Sequence, residues 1–222
     1  MEVVYANSRR HREGWDINAR MLAIESSPTM NPPRERVAAR AWLYVLATNG
    51  SEDLIKVGLT KDPLARWSAF HPRWYEAFDL SNSMLVACEQ RSDAQQLETA
   101  LHHELSEHSC PMPMTIRAFA AGATEWYRGA YSPARRFVER CEARGHAVEH
   151  DARRVLAPAM QEAACRLDGL LRQAHADLMA GWLSETQRCA LVDLVDGHRL
   201  FDPELDDRLP LDAWQALQRT AR

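Results

Sequence analysis

Three polar side chains whose types suit chemistry on a phosphate group are predicted to converge. Tyr44 lies in one short apolar run, Lys56 in the next, and Arg66 in the segment that follows. An Asn-Gly pair between the two runs is typical of a hairpin. The stretch that joins the runs is longer than the tightest hairpin loop, so an irregular loop is expected. Asp62 can cap a helix that Pro63 begins. The three side chains are therefore expected to approach one small area from two strands and a helix.

Each of these side chains has a chemical use and an ordinary structural explanation. The planar fork of an arginine binds phosphate oxygens. A lysine whose pKa is lowered by burial beside an arginine can take a proton, or it can simply hold a phosphate. A tyrosine at a sheet edge can act as a general base or orient a water molecule. A strand aromatic and an exposed helix arginine are also common. The residue types alone therefore do not decide between a chemical and a structural role.

A glutamate and a histidine share one face of a later predicted helix. Ser92 and Gln95 predict its N-cap and capping box, and the spacing of its leucines predicts a buried seam of Leu97, Leu101 and Leu105. Glu98 and His102 are four positions apart and lie on a neighbouring face. One carboxylate can be enough for Mg²⁺, which keeps several of its waters. By spacing alone, however, Glu98 is more simply an ordinary polar residue of the helix.

The order of these motifs resembles a known family. The motifs are Tyr44-Val45, Lys56-Val57-Gly58, Arg66, Leu97-Glu98, Leu101-His102 and Thr124-Glu125-Trp126-Tyr127. Together they resemble the GIY-YIG nuclease superfamily, and most closely its phage-type branch, which is named for a phage T5 open reading frame. The resemblance implies an α+β fold with a small mixed β-sheet flanked by helices. It also implies a DNA endonuclease that hydrolyses phosphodiester bonds with a divalent metal. The alternative is a module with this fold that binds DNA or protein without cleaving.

The resemblance implies roles for four of the residues. Glu98 would bind one divalent ion, Mg²⁺ or Mn²⁺, and Arg66 would contact the scissile phosphate. Tyr44 would be the general base or would orient the attacking water. Lys56 stands where many members of the superfamily have a second tyrosine, so the general base is either Tyr44 or Lys56.

Two histidines and a second glutamate complete the set of candidates. His71 and His102 would protonate the leaving group or contact the phosphate, although a lone histidine is more often structural. Glu125 would orient Lys56 or Arg66.

The net charge of −4 is unevenly distributed along the chain. Residues 41–110 carry five basic and ten acidic side chains, a net charge of −5, whereas residues 111–155 carry eight and five, a net charge of +3. Because affinity for nucleic acid comes largely from neutralised phosphates, we expect the second segment to contact DNA through Arg128, Arg135 and Arg136. The alternative is that these arginines form the solvated face of a helix.

The composition is that of an ordinary globular protein without a membrane-spanning segment. Of the 222 residues, 46% are hydrophobic and 26% are charged, and no apolar run approaches the ~20 residues needed to cross a bilayer. The five cysteines form no C-x-x-C pair. This spacing predicts reduced thiols and a cytoplasmic protein.

The chain is predicted to have three parts. Residues 1–40 are polar, contain a Ser- and Pro-rich linker, and are expected to form a partly ordered arm. Residues 41–131 would form the α+β nuclease domain. Residues 132–222 would form an all-helical domain.

The helical domain is predicted from one long apolar stripe. A single helix at about residues 153–181 places apolar side chains close to every 3.5 positions: Leu156, Met160, Ala163, Leu167, Leu170, Ala174, Leu178 and Trp182. A short connection to the next helix, which Ser184 caps, favours an antiparallel hairpin. Because the stripe is too apolar to face solvent, it would be buried within the chain or in a homodimer.

Overall fold

The computed structural model describes residues 41–116 and 124–219. The predicted N-terminal arm, residues 1–40, lies outside the described residues. The described chain contains a six-stranded sheet with helices on both faces, followed by a group of packed helices. The predicted α+β class with a helical C-terminal region is therefore confirmed.

The elements alternate along the first part of the chain and become helical in the second. The strands are β1 (Ala41–Thr48), β2 (Leu54–Thr60), β3 (Phe78–Cys88), β4 (Ser109–Cys110), β5 (Trp126–Arg128) and β6 (Val148–Glu149). The helices are α1 (Pro63–Phe70), α2 (Trp74–Ala77), α3 (Arg91–Glu104), α4 (Tyr131–Ala143), α5 (Arg153–Ala164), α6 (Leu167–Met179), α7 (Glu185–Arg199) and α8 (Leu211–Arg219). Two 3₁₀ turns lie at Ser106–His108 and Leu205–Arg208.

The sheet has the strand order β4-β5-β2-β1-β3-β6. Every described pairing is antiparallel, so the predicted mixed sheet is wrong, although the predicted fold class stands. Thr60 at the end of β2 pairs with Trp42, whereas Phe78 at the start of β3 pairs with Thr48. Helices α1 and α2 therefore carry the chain back along the sheet, and β3 runs opposite to β1.

Helices cover both faces of the sheet. On one face, Tyr44 of β1 lies in a cluster with Trp67 of α1. On the other face, Val45 lies in a cluster with Leu101 of α3 and Val138 of α4. The central strands are thus buried on both sides, which explains their almost continuous apolar sequence.

The predicted single helix at residues 153–181 is wrong, because the chain breaks it into α5 and α6. The Cys165 and Arg166 backbones donate to residues three positions earlier, Glu162 and Ala163, so the last turn of α5 is tightened. The break lets the two helices bury their apolar faces in different places. Leu156 and Met160 of α5 join the core of the sheet, whereas Leu167 and Leu171 of α6 join a separate helical core. Trp182, which the stripe included, is 78% exposed.

The helices after the break pack on one another. Leu171 of α6, Leu191 and Val195 of α7 and Trp214 of α8 lie in one apolar cluster, in agreement with the expected packing of α6 against α7. Ser184 caps α7 with both hydrogen bonds of a capping box, as predicted. Much of the stripe is thus buried inside the chain, so its burial does not require a second subunit, and the homodimer stays a prediction.

The sheet extends beyond the predicted nuclease domain. Strand β6 pairs with β3, and α4 packs on the sheet, although both lie after residue 131. The predicted domain boundaries stay a prediction. Within the described ranges, every helix falls short of the length and hydrophobicity that crossing a bilayer requires.

Candidate active site

The candidate site lies at the place where the short strand β5 begins beside β2. Strand β5 pairs with β2 only along residues 54–56, whereas β2 continues to Thr60. Glu125 immediately precedes β5, and its carbonyl oxygen accepts a hydrogen bond from the Val57 backbone. The late start of β5 therefore leaves space beside the end of β2, and side chains from β1, α1 and α3 meet there.

The phenol of Tyr44 lies across Gly58 of the neighbouring strand. The two residues are direct partners in the β1–β2 pairing, and a Cβ atom at Gly58 would lie 2.4 Å from the Tyr44 Oη. Only a glycine allows this close approach. Trp67 packs edge-on against the phenol ring, with the ring centroids 6.0 Å apart. Burial raises the pKa of Tyr44 to about 12, so the phenol keeps its proton at neutral pH.

Arg66 reaches the phenol from helix α1. Its Nε donates a hydrogen bond to the Tyr44 Oη at 3.5 Å, and its guanidinium carbon lies 4.8 Å from the centroid of the Phe70 ring. The helix begins as the sequence predicts, because the Asp62 carboxylate accepts a hydrogen bond from the Ala65 backbone. Stacking on the ring restricts the guanidinium group and holds its fork at the site.

Lys56 is a fully buried lysine in strand β2. Its side chain is 0% exposed, and its Nζ lies 3.0 Å from the Glu125 Oε2. The Nζ also lies 5.5 Å from the ring centroids of Phe70 and Trp126. Burial lowers the pKa of Lys56, and the Glu125 carboxylate opposes this effect. Glu125 thus contacts Lys56, one of the two residues that it was expected to orient.

Glu98 points into the site from helix α3 and is 7% exposed. Its Oε2 accepts a hydrogen bond from the Gln95 Nε2 at 2.7 Å, and the Leu59 backbone of β2 also hydrogen-bonds to it. Burial raises the pKa of Glu98, and the nearby charge of Glu125 raises it further. Two carboxylates held this close are stabilised by a cation between them.

The start of helix α3 differs from the sequence prediction. The capping box at Ser92 and Gln95 is wrong, because α3 already begins at Arg91, with Gln90 as an N-cap that makes no side-chain cap. Gln95 points along the helix and binds Glu98 instead of reaching back. With Ser92 as its N-cap the helix would begin at Asp93, but it begins two residues earlier, which removes Ser92 from the cap position. The sequence does not reveal this shift.

His102 places an unpartnered nitrogen atom beside the two glutamates. Its Nδ1 lies 2.6 Å from the Tyr127 Oη. Its Nε2 is buried without a hydrogen-bond partner and lies 3.9 Å from the Glu98 Oε1. Burial also lowers the pKa of His102, which favours the neutral imidazole. Glu98, His102 and Glu125 each offer one donor atom, and these atoms all lie within 4.8 Å of one another.

The residues at this place fit a divalent cation. Two carboxylate oxygens and one imidazole nitrogen are ordinary metal donors. The buried, unpaired Nε2 of His102 is the observation that favours a cation most strongly, since a buried polar atom generally has a partner. Glu98, which the sequence proposes as the metal ligand, is one of the three donors.

His71 is a predicted site residue that does not belong to this group of donors. It ends helix α1 as its C-cap, and its Nδ1 accepts a hydrogen bond from the Arg73 backbone at 3.0 Å. Its side chain lines an open groove together with Asn49 and Glu76. Its catalytic role stays a prediction.

The three arginines expected to contact DNA lie on the surface. Arg128 is 3.2 Å from Glu52, and Arg135 is 3.0 Å from Glu139. Arg136 is exposed on the same helix, α4. Exposed ion pairs contribute only ~0–1 kcal/mol, so a phosphate can replace these carboxylates at little cost. Contact with DNA stays a prediction.

Two interactions of the site are absent from the sequence prediction. The first is the bond between Tyr127 and His102, and the second is the approach of Glu125 to the pair on α3. The available signal is the spacing of Glu125 and Tyr127, which are two positions apart and would share one side of an extended segment. What the spacing cannot give is the position of β5 relative to α3.

The site is a polar cluster beside the end of β2 in a small α+β domain, and one comparison with known proteins matches this part of the chain. Residues 41–142 match the family model described as the T5orf172 domain. The match covers fewer than half of the 222 residues and includes the site and most of α4. This is the phage-type family that the motifs resemble. No curated protein and no solved structure matches the chain.

Proposed function

We propose that the matched domain is a GIY-YIG-type endonuclease that hydrolyses phosphodiester bonds in DNA with a divalent metal. The observation that carries the proposal is the convergence of Tyr44, Lys56, Arg66 and Glu98, which lie on four different elements. The match to the T5orf172 domain, a nuclease-like and DNA-binding family, adds support. A degenerate copy of such a site would be expected to lack one of these residues.

Arg66 is the residue proposed to bind the scissile phosphate. The guanidinium group is already oriented by the Phe70 ring and the Tyr44 phenol, so little conformational freedom is lost when the phosphate binds. A preorganised positive charge of this kind stabilises the transition state more than the ground state, because negative charge develops on the phosphate.

Tyr44 is proposed to orient the attacking water rather than to remove its proton. A phenol with a pKa of about 12 holds its proton at neutral pH, and a general base works best when its pKa is near the working pH. Gly58 supports the orienting role, because it holds the phenol in one position across β2. Lys56, the other candidate base, would act as a base only after it loses the proton that its ion pair with Glu125 stabilises.

Glu98 is proposed as the ligand of the divalent ion, Mg²⁺ or Mn²⁺. Such an ion would neutralise the charge that develops on the phosphate oxygens. The chain contributes a carboxylate whose direction is fixed by Gln95 and by the Leu59 backbone.

The arginines of α4 and the end of β5 are proposed to bind the DNA backbone. Residues 41–110 carry a net charge of −5, so most of the attraction to phosphate must come from elsewhere. Arg128, Arg135 and Arg136 provide exposed positive charge on one continuous stretch of chain.

Cleavage of supercoiled plasmid DNA tests this function. The full-length protein should nick or linearise the plasmid in Mg²⁺ or Mn²⁺ and leave it intact in EDTA. The Glu98→Ala protein should bind the plasmid without cutting it. Intact plasmid with the wild-type protein in both metals, under conditions where the protein binds the DNA, would instead support the non-cleaving binding module.

A further inference from the structure

The three donors at the sheet edge carry an inference about which metal the site selects. We propose that Glu98, His102 and Glu125 together bind one divalent ion, and that the imidazole makes the site prefer a first-row transition ion such as Mn²⁺ over Mg²⁺. The proposal rests on the proposed function only in placing the ion at Glu98.

The separations of the donor atoms suit a single ion. Two ligands bound at 2.0–2.2 Å to one ion lie no more than ~4.4 Å apart. The three donor atoms already lie within 4.8 Å of one another. Side-chain rotations that shorten these separations would bring all three donors to one centre. The pair on α3 is four positions apart, so one helix face presents Glu98 and His102 together.

The hydrogen bond of His102 resembles that of a metal ligand. A ligating histidine commonly donates its second ring N–H to a fixed acceptor, which sets the tautomer and the ring orientation. Here the Tyr127 Oη lies 2.6 Å from the Nδ1, and the two rings are stacked with centroids 5.8 Å apart. When Nδ1 donates to the phenol, the lone pair of Nε2 points to the glutamates. That atom is buried and has no partner in the described structure.

Glu125 is held in place for the same ion by Lys56. One oxygen of its carboxylate binds the buried ammonium group at 3.0 Å, and the carboxylate also offers a donor atom to the cluster. Lys56 supplies one positive charge to this pair of carboxylates. A metal ion would add the second positive charge that two close carboxylates require.

The nitrogen donor is what separates the candidate metals. Mg²⁺ is a hard ion that binds oxygen and keeps several waters, whereas imidazole favours transition ions. A site built from Glu98 alone would bind Mg²⁺ and Mn²⁺ with little discrimination. A site that includes His102 would favour Mn²⁺, and it would still leave coordination positions for water and a phosphate oxygen.

Metal titration of the full-length protein without DNA tests the proposal. Isothermal titration calorimetry with Mn²⁺ and with Mg²⁺ should give one site that binds Mn²⁺ at least ~10-fold more tightly. His102→Gln should weaken Mn²⁺ binding by ~10-fold or more and leave Mg²⁺ binding within about twofold. His103→Gln is the matched control, since His103 is the exposed neighbour on the same helix, and it should bind both ions like the wild type.

A second pair of variants tests the third donor. Glu125→Gln should also weaken Mn²⁺ binding by ~10-fold or more, whereas Glu107→Gln, at an exposed position after α3, should not. Unfolding by urea gives the check that each variant keeps its fold.

A spectroscopic measurement identifies the ligand directly. Pulsed electron paramagnetic resonance of bound Mn²⁺ should show a coupled imidazole nitrogen in the wild type and in His103→Gln, and none in His102→Gln. Equal affinity for the two metals, or a nitrogen signal that survives in His102→Gln, would overturn the proposal. A protein that binds Mn²⁺ through His102 but never cuts DNA would uphold the metal site and refute the nuclease. If the wild-type protein cuts DNA but the His102→Gln protein binds Mn²⁺ normally, the nuclease is upheld and the three-donor metal site is refuted.

Discussion

The sheet edge and the helical region both bury polar groups, but they differ in whether those groups have hydrogen-bond partners. In the helical region, Arg188 is 4% exposed and donates hydrogen bonds to the Glu185 carboxylate and to the Leu217 carbonyl oxygen. His198 is 2% exposed and hydrogen-bonds to the Met160 backbone. Within α5–α8, as far as residue 219, every buried side-chain nitrogen or oxygen atom has a hydrogen-bond partner.

At the sheet edge, buried polar atoms are left without partners. The Nε2 of His102 is one, and the indole nitrogens of Trp67, beside Tyr44, and Trp126, beside Lys56, are two others. A fourth, the Tyr75 Oη, belongs to a ring that packs against Gly197 of α7. Because an unpaired buried polar atom costs ~1–3 kcal/mol, stability alone does not explain the arrangement at His102. In α5–α8, polar burial therefore completes the structure, whereas the unpaired nitrogen of His102 is the feature on which the proposed metal site rests.

The largest expected effect is at Arg66. Arg66→Ala should lower the rate of DNA cleavage by ~10²-fold, about 3 kcal/mol of transition-state stabilisation, because it removes the preorganised phosphate contact. Single-turnover kinetics at saturating metal measures the change. Arg91→Ala, which replaces an exposed arginine at the start of α3, is the matched control and should cleave normally. Equal rates for the two variants would remove Arg66 from the site.

The helical region should respond to pH through His198. Burial lowers the pKa of His198 to about 4, whereas an unfolded histidine titrates near ~6.5. The unfolded chain therefore binds this proton first. The stabilising contribution is complete above pH ~6.5 and is lost as the pH falls towards the folded pKa, by about 3 kcal/mol over the whole window.

Urea unfolding at pH 7.5 and pH 4.5 measures this loss. The His198→Asn protein should lose less stability than the wild type between the two pH values, because it lacks the titrating group. Other groups near His198, such as Asp193, are present in both proteins, so the difference isolates the histidine. An identical pH dependence would show that His198 titrates normally.

A smaller effect is expected at Gly58. Gly58→Ala introduces a Cβ atom 2.4 Å from the Tyr44 Oη, so the phenol or strand β2 must shift. We expect a loss of ~1–3 kcal/mol in the free energy of unfolding, together with slower cleavage. Gly169→Ala is a suitable contrast, because the added Cβ meets no neighbouring atom within 4 Å. Thermal unfolding of the two variants separates the close approach from a general effect of replacing glycine.

The smallest effect is expected at the exposed arginines. Arg136→Ala should weaken binding to duplex DNA modestly and reduce the slope of log K against log salt by ~1, because one phosphate contact is lost. Fluorescence anisotropy over a range of salt concentrations measures this slope. Arg172→Ala is the control, since Arg172 is an exposed arginine on α6. If both variants keep the wild-type slope, Arg136 lies on a solvated helix face.

The sequence predicts those parts of the site that depend on local signals. The Asn-Gly loop and the cap at Asp62 position β1, β2 and α1, so the convergence of Tyr44 and Arg66 follows from short-range rules. The spacing of Glu98 and His102 likewise places both on one helix face.

The remaining parts depend on packing between distant segments. The contact of Glu125 with Lys56 and that of Tyr127 with His102 both arise from where β5 begins beside β2. The helix break at Cys165 is invisible in the apolar stripe, because both halves keep the same helical spacing although they pack against different cores. Periodicity reports that a face is buried, but it does not report against what.

The most direct test of the nuclease site is a joint measurement of cleavage and stability on Glu98→Gln. The substitution keeps the shape of the side chain and removes its charge. Because burial disfavours the charged form of Glu98, the free energy of unfolding at neutral pH should stay the same or increase. Metal-dependent cleavage of DNA should be lost. A stable variant without activity is the result that this account predicts, and a variant that cleaves at the wild-type rate would contradict it.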